Sequence, residues 1–162
     1  MNKLLISISL SLLLFTGCKS SEQAGATSKS VKSNLSDSQK ADVSYLFFNA
    51  NKEKILGNLN IAADLFAEVI RKDGSNAAAM YELSNIYSEQ KKYSDALFFS
   101  KSAWNIDPQN IWYALSYADV LNKNKKFDEA ASVLSQLVKD NPNRYDFYYE
   151  WAAAYVYAEK FS

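Results

Sequence analysis

The side chains that carry most enzyme chemistry are scarce in this 162-residue chain, which has no histidine and one cysteine, Cys18. Without histidine, a Ser-His-Asp triad, a histidine metal site and an imidazole base are excluded. Without a second cysteine, neither an intrachain disulfide nor an all-cysteine metal site can form. The carboxylates of Asp95, Asp128 and Glu129 lie at the starts of predicted helices, where negative charge is stabilising without any catalytic role. We therefore expect no enzyme activity, no catalytic residue, no cofactor and no metal.

Two classes of ligand are also disfavoured by the composition. The four glycines do not form the Gly-x-x-x-x-Gly-Lys loop that cradles nucleotide phosphates. The 18 basic and 18 acidic side chains balance, whereas nucleic-acid-binding domains usually carry a basic excess. We therefore expect no nucleic-acid partner. The apolar content of 48% favours a folded chain over a disordered one.

The cysteine follows a segment that is typical of exported proteins. Lys3 precedes an apolar and hydroxyl run at 4–15, which matches the charged and apolar regions of a secretory signal. This run is too short to span a bilayer as a helix, which takes about 20 residues. Residues 15–18 (FTGC) resemble the lipobox of bacterial lipoproteins, whose cysteine becomes the acylated first residue after cleavage.

That resemblance implies a signal peptide at 1–17 and acyl chains on Cys18 that anchor the protein in a membrane. Lys19 in place of Asp implies the outer membrane, on its periplasmic face or at the cell surface. A secretory signal with an incidental cysteine and a short buried helix are the alternatives. Residues 18–42 are serine-rich and lack aromatic side chains, which predicts that they form a flexible tether after the lipidated cysteine.

From about Val43 onward the chain repeats itself every 34 residues. Small residues recur at one position of each block, namely at Ala50, Ser84, Ala118 and Ala152. Each block contains two stretches with apolar 3–4 spacing, which predicts two antiparallel helices with a polar turn between them. Ser94 and Asp128 are predicted to be the N-caps of two of the second helices. Because one helix pair cannot bury its apolar face alone, successive pairs are expected to stack.

The pattern resembles the tetratricopeptide repeat family, most closely in residues 77–110, where Leu83, Tyr87 and Pro108 stand at signature positions. The resemblance implies an all-α fold, a right-handed α-solenoid of helix-turn-helix units. About three and a half units are expected, at 43–76, 77–110 and 111–144, followed by the first helix of a truncated unit at 145–162.

The segment 145–158 (YDFYYEWAAAYVYA) carries aromatic residues on nearly every side of its predicted helix. The terminal helix of a solenoid is expected to have a polar outer face. Two explanations stay open. Either the aromatic residues pack on the third unit, or the chain is a fragment or associates with a second copy through 145–158.

In the resembled family, the first helix of each unit lines a concave groove that holds an extended or helical peptide. Carried over by position, the groove residues are Phe47, Asn51, Lys54, Ile55, Tyr81, Asn85, Glu89, Trp112, Leu115, Asp119, Lys123, Tyr149, Ala153 and Tyr157. Asparagine can bond a peptide backbone while aromatic rings supply apolar area; for each ring, core packing is the alternative. The carboxylate clamp of chaperone-binding members is not expected, because Phe47, Tyr81 and Trp112 stand where it has cations.

These features predict a lipid-anchored protein-interaction module, or scaffold, that binds a protein or peptide partner in its groove at the bacterial cell envelope. The alternative is the N-terminal repeat region of a larger envelope protein, whose catalytic or glycan-binding part lies beyond residue 162.

Overall fold

A computed structural model describes residues 35–161, and this range contains seven α-helices and no β-strand. The helices are α1 (Asp37–Ile55), α2 (Leu59–Lys72), α3 (Ala77–Glu89), α4 (Tyr93–Ile106), α5 (Ile111–Lys123), α6 (Phe127–Asp140) and α7 (Tyr145–Phe161). Consecutive helices pack against each other, and short turns between them make neighbours antiparallel. The described chain is therefore the all-α solenoid that the repeat predicts. The expected signal peptide, Cys18 and most of the tether lie outside the described residues.

The first helix begins earlier than the composition suggests. Ser36 is the N-cap of α1, and its hydroxyl accepts a hydrogen bond from the backbone N–H of Gln39. The Gln39 side chain accepts the N–H of Ser36 in return, at 2.9 Å, which completes a capping box. Residues 37–42 are thus helical, although the composition assigns them to the tether.

The turns inside the three hairpins share one backbone geometry. Gly57, Lys91 and Lys125 lie 34 residues apart and have φ angles of 82°, 61° and 60°. In the first turn, Gly57 N–H donates to the Lys54 carbonyl at 3.0 Å and the next N–H donates to the Glu53 carbonyl at 2.9 Å; the other turns repeat both bonds. This is the Schellman arrangement, in which a left-handed residue ends the helix. Two lysines therefore occupy a conformation that favours glycine.

The same turns decide where the second helices begin. The N-cap positions of α4 and α6 are Lys92 and Lys126, and neither side chain forms a capping hydrogen bond. The prediction that Ser94 and Asp128 are the N-caps is therefore wrong. The N-cap lysine directly follows the left-handed lysine and the helix starts one residue later, so Asp128 lies in the first turn of α6 instead. Its charge there still interacts favourably with the helix dipole.

Small residues allow the two helices of each hairpin to approach closely. The buried small residues at the repeating positions are Ala50, Ser84 and Ala118 in the first helices and Ala62, Ala96 and Ala130 in the second. Inside the second hairpin, the Ser84 hydroxyl donates to the Ala96 carbonyl at 2.8 Å. Phe66 and Phe147 are among the largest fully buried side chains. Phe66 belongs to the N-terminal core cluster, formed by α1, α2 and α3, and Phe147 belongs to the C-terminal core cluster, formed by α5, α6 and α7.

The last helix, α7, is covered on one side. Phe147, Ala154 and Ala158 are buried, and Trp151 packs half-buried against the same cluster. Ala152, which is equivalent to the buried Ala118, is exposed. The exposed large side chains of α7 are Tyr145, Tyr148, Tyr149, Tyr155, Val156 and Tyr157. Packing on the third unit thus accounts for one face of this helix and leaves the other face open.

No helix within residues 35–161 is both long enough and apolar enough to cross a membrane.

Candidate binding groove

The predicted groove corresponds to the face formed by the first helices of the units, α1, α3, α5 and α7. Neighbouring first helices contact each other across the unit boundaries. Lys54 Nζ of α1 lies 2.6 Å from Glu82 Oε2 of α3. The Ser116 hydroxyl of α5 donates to Asn85 Oδ1 of α3 at 3.1 Å. These bonds connect α1 to α3 and α3 to α5, and they fix the spacing of these three first helices.

The polar side chains predicted for the groove are largely engaged within the chain. Lys123 Nζ donates to Ser88 Oγ at 2.8 Å and to Asp119 Oδ2 at 2.7 Å. The Asn51 amide N–H donates to the Phe47 carbonyl of its own helix at 2.9 Å. The two lysines expected in the groove are therefore both neutralised by carboxylates, and the groove presents no unpaired cation at these positions.

Two side-chain amides of the groove, those of Asn51 and Asn85, each keep one group that can hydrogen-bond a ligand. Asn51 Oδ1 and Asn85 Nδ2 have no hydrogen-bond partner within residues 35–161. One is an acceptor and the other a donor, which are the two groups that an extended peptide backbone needs opposite it.

An apolar pocket opens at the α1 end of the groove, with a volume of about 390 Å³. It lies between α1 and the start of α3 and is lined by Val43, Ser44, Phe47, Phe48, Asn51, Asn76 and Ala78. Phe47 packs edge-on against Phe66, with ring centroids 5.5 Å apart, whereas Phe48 is 68% exposed. The pocket brings together the predicted residues Phe47 and Asn51 and adds an exposed phenylalanine beside them.

The middle of the groove is more tightly packed. The Tyr81 ring lies 5.3 Å from the Tyr113 ring of α5. Burial raises the pKa of Tyr113, with Asp107, Tyr81 and Glu82 adding to the effect. Tyr81 is thus part of the contact between units, while Trp112 at the start of α5 is exposed.

The remaining predicted groove residues differ in how far they are buried and in what they contact. Leu115 is partly buried against the C-terminal core cluster, while Glu89 and Ala153 are exposed. Tyr157 stacks on Phe127 of α6, with ring centroids 6.0 Å apart. Ile55 and Tyr149 are exposed at the two ends. The set therefore lies on the predicted helices, but it separates into a pocket near α1, a packed middle and an open α7 end.

The predicted groove set missed five of the seven residues that line the pocket, namely Val43, Ser44, Phe48, Asn76 and Ala78. Phe48 occupies a repeat position at which the later units have Glu82, Ser116 and Glu150. An exposed aromatic residue at an otherwise polar position is the signal that could have identified it. Asn76 caps α3 by accepting the Ala79 N–H at 3.0 Å, which explains its place at the mouth of the pocket.

The groove carries hydrogen-bonding and apolar groups rather than reactive ones. No group of three His, Cys, Asp or Glu residues that could hold a metal ion occurs in the part of the chain that the structure describes. The carboxyl whose pKa is clearly lowered is that of Asp146, outside the groove, because the Arg144 guanidinium forms two hydrogen bonds with it.

Helix hairpins stacked with a 34-residue period define a helical-repeat solenoid whose first helices share one face. Two family models described as tetratricopeptide repeats match the chain, at residues 56–110 and 88–149. These repeats belong to the tetratricopeptide repeat family, and the chain is a tetratricopeptide-repeat solenoid.

Solved structures show the same fold at low sequence identity. The Arabidopsis OM64 tetratricopeptide domain is 16% identical, with a TM-score of 0.63, over 72% of this chain and 96% of that one. The second such domain of human RPAP3, in complex with the HSP70 peptide SGPTIEEVD, is 16% identical, with a TM-score of 0.65, over 72% and 97%. A Thermobaculum terrenum O-GlcNAc transferase is 17% identical, with a TM-score of 0.63, over 74% of this chain but 23% of its own. No curated protein sequence matches this chain.

Proposed function

We propose that this protein is a lipid-anchored interaction module of the bacterial outer membrane that holds an extended, largely apolar peptide segment of a partner protein in its groove. The apolar pocket at the α1 end carries this proposal. It combines an exposed phenylalanine, a half-buried phenylalanine and a free asparagine acceptor. Interfaces draw most of their energy from a few such sites, in which an apolar anchor fills a pocket.

The charges of the groove favour an apolar segment over an acidic one. The RPAP3 domain is described with the peptide SGPTIEEVD, which carries several carboxylates. Here Lys54 is paired with Glu82 and Lys123 with Asp119, so an acidic peptide would have to displace an existing carboxylate. A salt-sensitive, tight complex with an acidic C-terminal peptide would contradict this part of the proposal.

Photo-crosslinking in intact cells tests the groove, and the chain offers a matched control. Phe48 and Phe98 are both phenylalanines, 68% and 66% exposed, but Phe98 lies on α4, outside the groove. A photoreactive phenylalanine analogue at position 48 should capture the partner, and the same analogue at position 98 should not. Once the partner segment is identified, Phe48→Ser should weaken its binding by at least about tenfold, while Phe98→Ser leaves binding unchanged. Equal capture at both positions would contradict the groove as the binding surface.

The membrane anchor is a separate part of the proposal, and it rests on the sequence around Cys18. Acyl chains on Cys18 would hold the module at the envelope, since each buried methylene adds about 0.8 kcal/mol. Metabolic labelling with a clickable fatty acid should label the protein, and a Cys18→Ala variant should lose the label. Equal labelling of both forms would contradict the anchor.

Self-association through 145–158 is a second candidate role, favoured by the open face of α7. Tyr155 is 54% exposed, and the equivalent Leu121 in α5 is fully buried. We expect concentration-dependent dimerisation that Tyr155→Glu abolishes. Ile61→Glu on α2, at a similarly exposed side chain, should leave it unchanged. A monomer at every concentration in sedimentation velocity would contradict this role.

The alternative of a larger envelope protein, with a catalytic or glycan-binding part beyond residue 162, is supported by the transferase in which a similar solenoid spans part of the chain. Sequencing the genomic reading frame past Ser162 decides it. A further domain would favour this alternative, whereas an immediate stop codon would exclude it.

A further inference from the structure

A second cleft lies outside the groove, where the end of α4, the start of α5 and the end of α6 meet. Its volume is about 370 Å³, within the roughly 300–1,000 Å³ typical of small-molecule sites. Its apolar lining includes Trp104, Pro108, Ala114 and Val133. This combination differs from the groove pocket, because an indole and a proline ring form part of the walls.

The cleft arises from small residues at positions that are large one repeat earlier. Ala114 is equivalent to Met80, and Val133 is equivalent to Phe99, each 34 residues before. Met80 is buried and Phe99 packs against the N-terminal core cluster. At the junction between the second and third hairpins, smaller side chains thus replace Met80 and Phe99, which leaves room for the cleft.

The Trp104 side chain is fixed by a contact within the protein, without a bound ligand. Its indole stacks on the Tyr117 ring, with centroids 5.3 Å apart and an interplanar angle of 26°. Tyr117 is itself buried. The equivalent residue one repeat earlier is Ile70. The junction between the first and second hairpins therefore lacks the indole that the junction between the second and third hairpins has. A fixed aromatic ring costs little conformational entropy when a ligand packs on it.

Four polar side chains line the same cleft, Gln109, Gln136, Asp140 and Asn141, and the Asn141 amide already donates to the Leu137 carbonyl at 2.9 Å. Gln136 Nε2 donates to Asp140 Oδ1 at 2.9 Å, which orients both groups and leaves Gln136 Oε1 and Asp140 Oδ2 as acceptors. The Gln109 amide makes no hydrogen bond within residues 35–161 and can both donate and accept. No lysine or arginine lines the cleft.

We propose that this cleft binds a neutral saccharide, with one sugar ring against the Trp104 indole and its hydroxyls bonded to Gln109, Gln136 and Asp140. The C–H face of a sugar supplies apolar area for the indole, and its hydroxyls donate to the carboxylate and accept from the amides. An anionic ligand would meet the Asp140 carboxylate with no cation to offset it. A purely apolar ligand would bury these polar groups without partners, which is unfavourable.

The three tryptophans provide a direct assay. In a ¹⁵N-labelled chain, the indole N–H signals of Trp104, Trp112 and Trp151 can be followed separately during titration. The probes are glucose, cellobiose, maltose and diacetylchitobiose, with glucuronate as the anionic comparison and cyclohexanol as the apolar one. At least one neutral sugar should shift the Trp104 signal and leave the exposed Trp112 signal unchanged.

Two variants test the location of the site. Ala114→Met restores the side chain found at position 80 and should weaken sugar binding by at least about tenfold, because it fills the cleft. Gln109→Ala changes an exposed turn residue, is not expected to affect folding, and should weaken binding about tenfold. Thermal unfolding of both variants checks that the fold is retained.

The proposal is overturned if no neutral sugar shifts the Trp104 signal, if cyclohexanol or glucuronate binds as tightly as the sugars, or if Gln109→Ala binds as the parent chain does. None of these results bears on the groove pocket, because that pocket is formed by α1 and the start of α3, which contribute no residue to the cleft.

Discussion

The helices α5 and α7 occupy the same place in consecutive repeats, yet only α5 is covered on both sides. In α5, Leu121 is fully buried and Ala118 is 2% exposed. In α7, the equivalent Tyr155 is 54% exposed and Ala152 is also exposed. The difference comes from the neighbours, because α4 and α6 both pack on α5, whereas within residues 35–161 α7 packs mainly on α6. The same repeat position can therefore belong to the core or to an open surface.

The largest expected difference between the two helices follows from truncating an equivalent pair of side chains. Leu121→Ala should lower the free energy of unfolding by about 2–5 kcal/mol, because it opens a cavity in a packed core. Tyr155→Ala should change it by less than about 1 kcal/mol, because half of that side chain is already in water. Urea unfolding followed by circular dichroism measures both. Similar losses for the two variants would mean that α7 is covered in solution, which would favour self-association.

Enlarging the small residues sharpens the comparison. Ala118→Leu should destabilise the chain by about 1–3 kcal/mol, because the added carbons have no room between α5 and α6. Ala152→Leu is the matched substitution on α7 and should be nearly neutral for a monomer. If Ala152→Leu destabilised the chain as much as Ala118→Leu, the open face of α7 would be occupied by another element.

A smaller effect is expected at the same position of α3, which carries serine. The buried Ser84 hydroxyl donates to the Ala96 carbonyl at 2.8 Å. Ser84→Ala should therefore cost about 1 kcal/mol, the usual net value of one hydrogen bond. Ala152→Ser, at the exposed equivalent, should cost no more than about 0.5 kcal/mol, which is the difference in helix propensity between the two residues. Equilibrium unfolding distinguishes these outcomes, and an unchanged stability for Ser84→Ala would show that this bond adds nothing to the hairpin.

The solenoid could be predicted from the sequence because the residues that define the 34-residue repeat are ones that must be small. Alanine or serine at positions 50, 84 and 118 is required wherever two helices cross closely, so the 34-residue period survives variation elsewhere. The starts of the helices were harder to predict. Ser94 and Asp128 have good capping side chains, but backbone bonds in the Schellman turns place the caps two residues earlier.

The candidate site could be predicted less fully than the fold. Position in the repeat indicates which helix a side chain lies on, and two residues of the predicted groove, Phe47 and Asn51, both line the pocket. It does not indicate which partners a side chain finds across a unit boundary. Lys54 meets Glu82 and Lys123 meets Ser88, contacts that span 28 and 35 residues. The availability of each groove residue for a ligand therefore required the structure.

The smallest expected effect concerns the ends of α5 and α7, and here the two helices should respond with opposite signs. After α5, Lys125 adopts a left-handed conformation with φ of 60°, whereas the equivalent Glu159 continues α7 as helix. Lys125→Gly should stabilise the chain by roughly 0.5 kcal/mol, because relief of the left-handed strain, about 1–2 kcal/mol, exceeds the cost of a more flexible residue, about 0.5–1 kcal/mol. Glu159→Gly should destabilise it by a few tenths of a kcal/mol, because glycine weakens a helix. The denaturant midpoints of both variants show whether each substitution raises or lowers the stability. Stabilisation by Glu159→Gly would mean that α7 ends at a turn like that of α5.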